Sequence, residues 1–476
     1  MKKDIPKLDT IRSIRAKRSL TIREAADRSG LSETQWKLIE RGLTIPDADL
    51  LSKIRSTLGL TGVDNNTDMI LANGNNIGEG YVTSYGDADS AFILQPKITR
   101  QRTEFEIIDL FCGAGGLSYG FEQNSKFKVA CGVDLLADRV QTFHENHPSA
   151  FAICSDIKSL KSKTLNDITD SPSIIMGGPP CQGFSSIRPF RNLTEGDARN
   201  SLPEHYLLSV AQLNPKWVIF ENVMGILSHR KGNVFDQVLS GLRDLGYYVD
   251  YKVINAASLG VPQNRERVYV LGRRGTKPFT WISPSHRTEN RSMAGRNHPM
   301  LSSLPLMKGS LQDPVTVGDA IFDLPEIQSG ETAEYYKKTP FTNFQKLMRA
   351  ESAEKLTLHQ ATKHSEKMME IVRKSGKNRN CLPEHMTTSG FSSCYSRLDA
   401  DAPSTTITVN FVNPSSNRCI HPHQHRALSP REGARLQSFP DHYIFRGSKT
   451  QITKQIGNAV PPIVSAALAK MILANT

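Results

Sequence analysis

The chain lacks any Cys-x-x-Cys pair, and its seven cysteines are an odd number scattered over 476 residues. Both facts argue against a disulfide scaffold and a zinc ribbon, and no metal site is expected. Free thiols suit a reducing cytoplasm. No apolar run approaches the roughly 20 residues needed to cross a bilayer, so no membrane partner is expected. The opening Met-Lys-Lys-Asp-Ile-Pro-Lys is basic but leads into no apolar core, so it does not read as a signal peptide. There is no internal repeat. Acid is in deficit: 59 Lys and Arg stand against 47 Asp and Glu, a net charge of +12 that favours a polyanionic partner. At this length two or three domains are expected.

What is present begins with residues 177–185, Gly-Gly-Pro-Pro-Cys-Gln-Gly-Phe-Ser. Two prolines fix φ and remove two backbone donors, so Cys181 sits on a stiff loop. The apolar stretch 173–176 just upstream reads as the end of a buried strand. A cysteine on such a loop fits a nucleophile held where a substrate can meet it, and equally a buried structural thiol. Residues 109–118, Asp-Leu-Phe-Cys-Gly-Ala-Gly-Gly-Leu-Ser, follow a strand at 105–110 and run into a helix. Their glycines let backbone approach a ligand closely. A second strand, 129–133, ends in Asp134, and an acid there suits a ribose diol. Asp156 and Ile157 follow the apolar run 151–154. Val218-Ile219-Phe220 leads into Glu221-Asn222-Val223, and Gln263-Asn264-Arg265-Glu266-Arg267 precedes a strand at 268–271.

Residues 1–62 form a first, all-α unit with apolar residues at helical spacing. Thr21 and Glu24 make a capping box, Gly30 breaks the chain, and Ser32 caps a second helix. The stretch 20–42 resembles a phage-repressor helix-turn-helix. In that register Trp36 faces the core, while Glu33, Thr34, Gln35 and Lys37 lie at the exposed start of the recognition helix. Residues 63–104 are rich in Asn and Gly and read as a linker, with order returning near Phe92. Residues 105–275 alternate strands and helices as a mostly parallel sheet does. Residues 276–396 are less regular, with a helix at 363–374. Residues 397–476 return to strand and helix, closing with a helix at 463–473. Lys374 and Arg379, in a basic stretch, are candidates to meet phosphates.

These blocks, in this order, resemble the DNA (cytosine-5) methyltransferase family. Further blocks add to the resemblance: 197–202, Asp-Ala-Arg-Asn-Ser-Leu; 397–408, from Arg-Leu-Asp to Pro-Ser-Thr-Thr-Ile-Thr; 428–440, from Leu-Ser-Pro-Arg-Glu to Arg-Leu-Gln-Ser-Phe-Pro; and 455–462, Gln-Ile-Gly-Asn-Ala-Val-Pro-Pro. The resemblance spans about residues 105–476 and implies a Rossmann-like α/β domain using S-adenosylmethionine. A smaller target-recognition region is implied over 276–396, continuing into 397–476 before the chain returns to the catalytic domain.

The resemblance also implies roles. Cys181 attacks C6 of cytosine, Glu221 protonates N3, and Asn222 orients the loop. Arg267 reaches the pyrimidine O2, Arg265 supports the site, and the Pro179 carbonyl accepts from the exocyclic amine. Phe111 lies against the adenine, and Gly113, Gly115 and Gly116 leave room for the methionine part. Asp134 binds the ribose hydroxyls, Asp156 the adenine amine, and Ile157 lines the ring. Leu202, Asn458 and Val460 complete the pocket. Position 134 departs from the family's usual glutamate; the shorter aspartate lengthens the ribose contact or leaves it bridged by water. Ser185 and Arg188, on the loop 182–199, clamp the DNA strand. The base must leave the duplex to be attacked.

The expected partners are duplex DNA as methylation target and a separate operator, bound through a homodimer of the N-terminal domain. That domain then regulates transcription, and the enzyme protects DNA from a cognate endonuclease in the bacterial cytoplasm, at the nucleoid. Two other readings stay open at this point: a transfer-RNA cytosine-5 methyltransferase, and a repressor with an inactive enzyme half.

Overall fold

A computed structural model describes, apart from a few single positions, residues 15–31, 91–99, 103–180, 202–228, 233–288, 311–383 and 393–476, with isolated positions at 33–58, 82–83 and 386. Cys181, Ser185, Arg188, Thr34, Gln35 and Lys37 lie outside the described residues. The chain forms two compact units, Met1–Phe92 and Ile93–Thr476.

In the first unit, helix α1 (Ile22–Ser29) starts at a capping box. The Thr21 side chain accepts from the Glu24 backbone, and the Glu24 side chain accepts from the Thr21 backbone. It stops at Gly30, whose φ of 73° is the left-handed conformation that glycine adopts without cost. Ala25, Ala26, Trp36, Ile54 and Leu58 are buried together. Trp36 therefore faces the core as the repressor register requires, and Glu33 is exposed.

The second unit is built on a twisted sheet of strands β1 (Phe92–Leu94), β2 (Phe105–Leu110), β3 (Phe127–Asp134), β4 (Phe151–Cys154), β5 (Ile174–Gly177), β6 (Trp217–Val223), β7 (Tyr247–Asn255) and β8 (Glu266–Arg274). Their spatial order is β1-β4-β3-β2-β5-β6-β8-β7. Strands β2 to β6 pair parallel. They are nearly continuous Val/Ile/Phe runs buried on both faces, as a sheet covered by helices requires. Strand β8 runs antiparallel to both of its neighbours. Chain order runs outward from β2 through β3 to β4, then reverses through β5 to β6. The reversal puts a switch point between β2 and β5, with all five carboxyl ends along one edge. Strand β1, inside the stretch read as linker, pairs alongside β4 in the sheet.

Beyond the sheet lie helices α2 (Gly116–Glu122), α3 (Ala137–Asn146), α4 (Ser162–Ile168), α5 (Leu202–Leu213), α6 (Asn233–Asp244), α7 (Val317–Ile321), α8 (Asn343–Arg349), α9 (Glu366–Lys374), α10 (Pro430–Leu436), α11 (Lys449–Asn458) and α12 (Pro462–Ala474). Two expectations need correction. Helix α9 begins at the Ser365 cap rather than at 363, because the Ser365 hydroxyl accepts from the Met368 N–H. Residues 397–426 contain only isolated bridges, such as Arg397 to Ile420, and no strand among the described residues. Segment 449–474 is long and apolar enough to pass as a membrane span, but 61% of its apolar window is buried inside the protein. Chain-breaking Pro461 divides it into α11 and α12, and Ser465 of α12 donates to the Leu117 carbonyl of α2 at 2.5 Å.

Candidate active site

The carboxyl ends of β2 to β6 bring the sequence-picked residues to one edge. After β2 the chain turns through Phe111 (φ 61°), Gly113 (φ 55°) and Gly115 (φ 86°). A non-glycine residue in the left-handed region, as at Phe111, marks backbone held by its surroundings. A Cβ on Gly116 would collide with the Val460 carbonyl, so that glycine is where α11–α12 closes on the turn. Asp134, at the end of β3, is buried, and burial pushes its carboxyl above the usual range. One of its oxygens accepts from the Gly113 N–H and the other from the Leu136 N–H, both at 3.0 Å. The short aspartate is thus tied to the glycine turn itself. Asp156, after β4, is half-buried and accepts from the Lys158 N–H at 3.0 Å, beside buried Ile157. Leu202 opens α5 half-buried; Asn458 is exposed and Val460 buried.

Sequence reasoning gave Asp109 no role, yet it is the most unusual group here. It is 1% exposed, with the Ser118 side chain as its neighbouring donor and neither carboxylate oxygen in a well-formed hydrogen bond. Burial pushes it up to about 7. A buried carboxylate next to the turn, with a hydroxyl beside it and no ion-pair partner among the described residues, fits a cationic ligand group. Together with Asp134, the open glycine backbone and the apolar side chains, it matches a ligand carrying an ammonium, a diol and an aromatic ring. S-adenosylmethionine carries all three, so the residues present fit it. Tyr443 was also missed: its buried hydroxyl donates to the Ala114 carbonyl from 329 residues away, a link no local pattern encodes.

At the next strand ends, Glu221 and Arg267 meet. In the antiparallel pair β6–β8, Glu221 lies opposite Tyr269 and Val223 opposite Arg267. Glu221 and Arg267 are therefore diagonal neighbours on one face. The Arg267 Nε is 3.3 Å from Glu221 Oε1. Burial nonetheless raises the Glu221 carboxyl above its ordinary value, against the opposing pull of Arg267 and Arg265. A Cβ on Gly178 would lie 2.9 Å from Glu221 Oε2, so this carboxyl abuts the loop leading to Cys181. Asn222 donates to the Pro179 carbonyl at 3.1 Å, pinning the same loop. Arg265 points elsewhere. Its Nη1 donates to the Ile407 and Gly457 carbonyls at 3.3 and 3.1 Å, and burial pulls it down to about 9. Buried Gln263, beside it, donates to the Leu436 carbonyl and accepts from the Ile407 N–H. These two residues bind the C-terminal segments to the sheet edge.

Farther along the chain, Lys374 is exposed on the last turn of α9 and pairs with Glu370 at 3.0 Å. Arg379 opens a short 3-10 turn, Arg379–Cys381. Among the described residues, the Lys374 ammonium meets Glu370 and Met386 and not the strand-end residues.

A family model described as C-5 cytosine-specific DNA methylase matches residues 105–474, and one described as helix-turn-helix matches residues 11–64. The type II methyltransferase M.AgeI of Thalassovita gelatinovora is 33% identical over 429 residues, covering 77% of this chain and 98% of that protein. The type II methyltransferase M1.HphI of Haemophilus parahaemolyticus is 32% identical over 371 residues, covering 77% and 86%. A crystal structure of a prophage-encoded DNA modification methyltransferase from E. coli matches with a TM-score of 0.60 at 24% identity, covering 78% of this chain and 99% of that one; this likeness concerns the fold. With strand-end chemistry, fold and both family matches in agreement, the chain belongs to the C-5 cytosine-specific DNA methylases and carries a helix-turn-helix domain at its N-terminal end.

Proposed function

We propose that the chain methylates C5 of a cytosine flipped out of duplex DNA, with S-adenosylmethionine as donor, and so shields DNA from a cognate restriction endonuclease in the bacterial cytoplasm. The observation that carries this reading is the raised, half-buried Glu221 carboxyl held between Arg267 and the loop that leads to Cys181.

In this reading the Cys181 thiolate adds to C6, which pushes electron density toward N3. Burial shifts the Glu221 carboxyl toward its protonated form, which suits it to supply a proton to N3. Arg267 donates to O2, which steadies the anionic ring in a dry pocket. Asn222 holds the Pro179 carbonyl, whose second lone pair is open to the exocyclic amine of cytosine. Asp134, Asp156 and the turn at Phe111, Gly113, Gly115 and Gly116 hold the donor, with Ile157, Leu202, Asn458 and Val460 around them. When bound, the donor supplies an electrophilic methyl group. Loss of the C5 proton then expels Cys181 and restores the ring. Ser185, Arg188, Lys374 and Arg379 are proposed to meet the target strand.

The match at 11–64 and the buried Trp36 favour a second, separate activity. Glu33, Thr34, Gln35 and Lys37 are proposed to read an operator as a homodimer, regulating transcription.

The experiment uses duplex DNA carrying 5-fluorocytosine at the methylation site, found first by bisulfite sequencing. Fluorine cannot leave as a cation, so the wild type is trapped covalently. Peptide mapping is expected to place the bond on Cys181, and Cys181→Ser is expected to form none while still binding DNA. An adduct on another residue, or an active serine variant, refutes the reading.

A further inference from the structure

Behind the glycine turn lies a buried polar chain that the catalytic reading does not use. His147, just after α3, is wholly inside the protein. Its Nδ1 lies 2.6 Å from Glu122 Oε2, at the end of α2. The other Glu122 oxygen accepts from the Val129 N–H of β3 at 3.1 Å. Burial acts to raise the Glu122 carboxyl, but His147 and these hydrogen bonds hold it below its ordinary value. On the far side of the ring, His147 Nε2 is 3.4 Å from Ser118 Oγ, and that hydroxyl donates to the Gly115 carbonyl at 3.1 Å. Phe143 stacks on the imidazole at 4.2 Å and Tyr119 meets it edge-on. The ring has no freedom to turn.

Gly115 itself also packs against the ring. A Cβ there would sit 2.5 Å from His147 Nε2. The Gly115 backbone therefore rests directly on the imidazole edge, with φ at 86°. Shifting the ring by a fraction of an ångström moves the turn whose open backbone faces the donor. Packed interiors transmit such shifts instead of absorbing them.

We propose that His147, braced by Glu122 and linked through Ser118, is a positioning residue that sets the glycine turn for the methyl donor. The inference rests on the reading of Gly113 to Gly116 as the donor-binding turn. It predicts that His147 governs donor affinity and hardly touches turnover of the loaded enzyme.

The test uses the full-length chain and two split variants. In His147→Asn the amide stands where Nδ1 stood and keeps a donor for Glu122, but leaves the Gly115 face empty. In His147→Gln the amide reaches toward Ser118, as Nε2 does. Binding of S-adenosylhomocysteine is measured by calorimetry, and KM for the donor and kcat by steady-state methylation. His147→Asn is expected to weaken binding at least about tenfold, a loss near 1.4 kcal/mol, with kcat at saturating donor within about threefold. His147→Gln is expected to recover part of that affinity. Unchanged affinity in folded His147→Asn overturns the proposal, as does a parallel fall of affinity and kcat. Should the histidine variants fail to fold, Ser118→Ala reads the same link: weaker binding supports the proposal and unchanged binding overturns it. Asp134→Ala separates the two levels of inference. If the wild type binds no S-adenosylhomocysteine, or Asp134→Ala binds it normally, the donor-site reading fails. If Asp134→Ala loses binding and His147→Asn does not, only the positioning role fails.

Discussion

The two halves of the larger unit are held together by different physics. In the sheet half the strands are packed mainly by aliphatic and aromatic side chains, Ile107, Ile108, Val129, Val133, Ile174, Ile175, Val218 and Phe220, with buried polar groups gathered near the glycine turn and the strand ends. In the C-terminal half a second apolar cluster surrounds Arg426, Arg431 and Arg435, all wholly buried. Arg426 meets Glu432 through two bonds of 2.7 Å. Arg435 bridges Asp323 and Asp441 with contacts down to 2.6 Å. Arg431 reaches back to Thr357. An apolar core tolerates small losses gracefully, whereas a buried charge network fails sharply when one member goes. A Rossmann-like sheet needs only shape and hydrophobicity. A segment with little regular structure needs directional bonds to hold its path, and planar guanidinium forks provide them.

The strongest way to test that contrast is Arg435→Ala. It removes the buried cation that Asp323 and Asp441 share, leaving Asp323 to Arg349 and Asp441 to Tyr336 and Arg431, and a loss of about 3–5 kcal/mol in denaturant unfolding is expected. A loss below about 1 kcal/mol would show that the network is dispensable and the contrast false.

Next comes Asp109→Asn, at the sheet's own exception. The folded carboxyl sits at about 7, above the ordinary 3.8. Its stabilising contribution is complete below about pH 4 and is lost as pH rises toward and through 7, because the unfolded chain releases that proton more readily. The wild type is therefore expected to lose up to about 4 kcal/mol across that window that the asparagine variant keeps. Parallel pH profiles of melting temperature, taken without donor, would contradict this.

Smaller still is Ile175→Val in the centre of β5. One lost methylene costs about 0.5–1.5 kcal/mol, with methylation at saturating substrates little changed. A larger loss would mean the sheet core is as unforgiving as the charged half. Smallest is Lys97→Ala. Its pair with Glu145 measures 2.6 Å, but the lysine is 40% exposed. The cost should stay under about 1 kcal/mol and shrink further in high salt, as thermal melts at two ionic strengths would show.

The same contrast explains what could be read in advance. The strands around 105–110, 151–154 and 218–220 announce themselves as short apolar runs, because a doubly covered strand must be largely apolar. The Thr21–Glu24 capping box and Gly30 stop were equally legible, being local rules of helix ends. The boundary of α9 shifted because a serine cap outweighed apolar spacing. The strand expected in 397–476 is absent among the described residues; in 397–426 the Arg397 side chain satisfies the Ser375, His421 and Val372 carbonyls in place of a ladder.

At the site the division is similar. Glycines at a strand-to-helix turn, an acid closing the next strand, a cysteine after two prolines and a glutamate before an asparagine could be picked from the linear chain. Each role depends on one residue type at one strand end. Tertiary structure alone decided that Glu221 and Arg267 are diagonal neighbours, because that needs the antiparallel register of β6 with β8. It alone turned Arg265 toward Gly457, buried Asp109 with no ion-pair partner among the described residues, set Tyr443 against Ala114, and placed His147 under Gly115. Local sequence carries chain direction and burial, which are short-range. Which buried polar group meets which is settled only when segments hundreds of residues apart pack and every desolvated donor and acceptor must find a partner or go without.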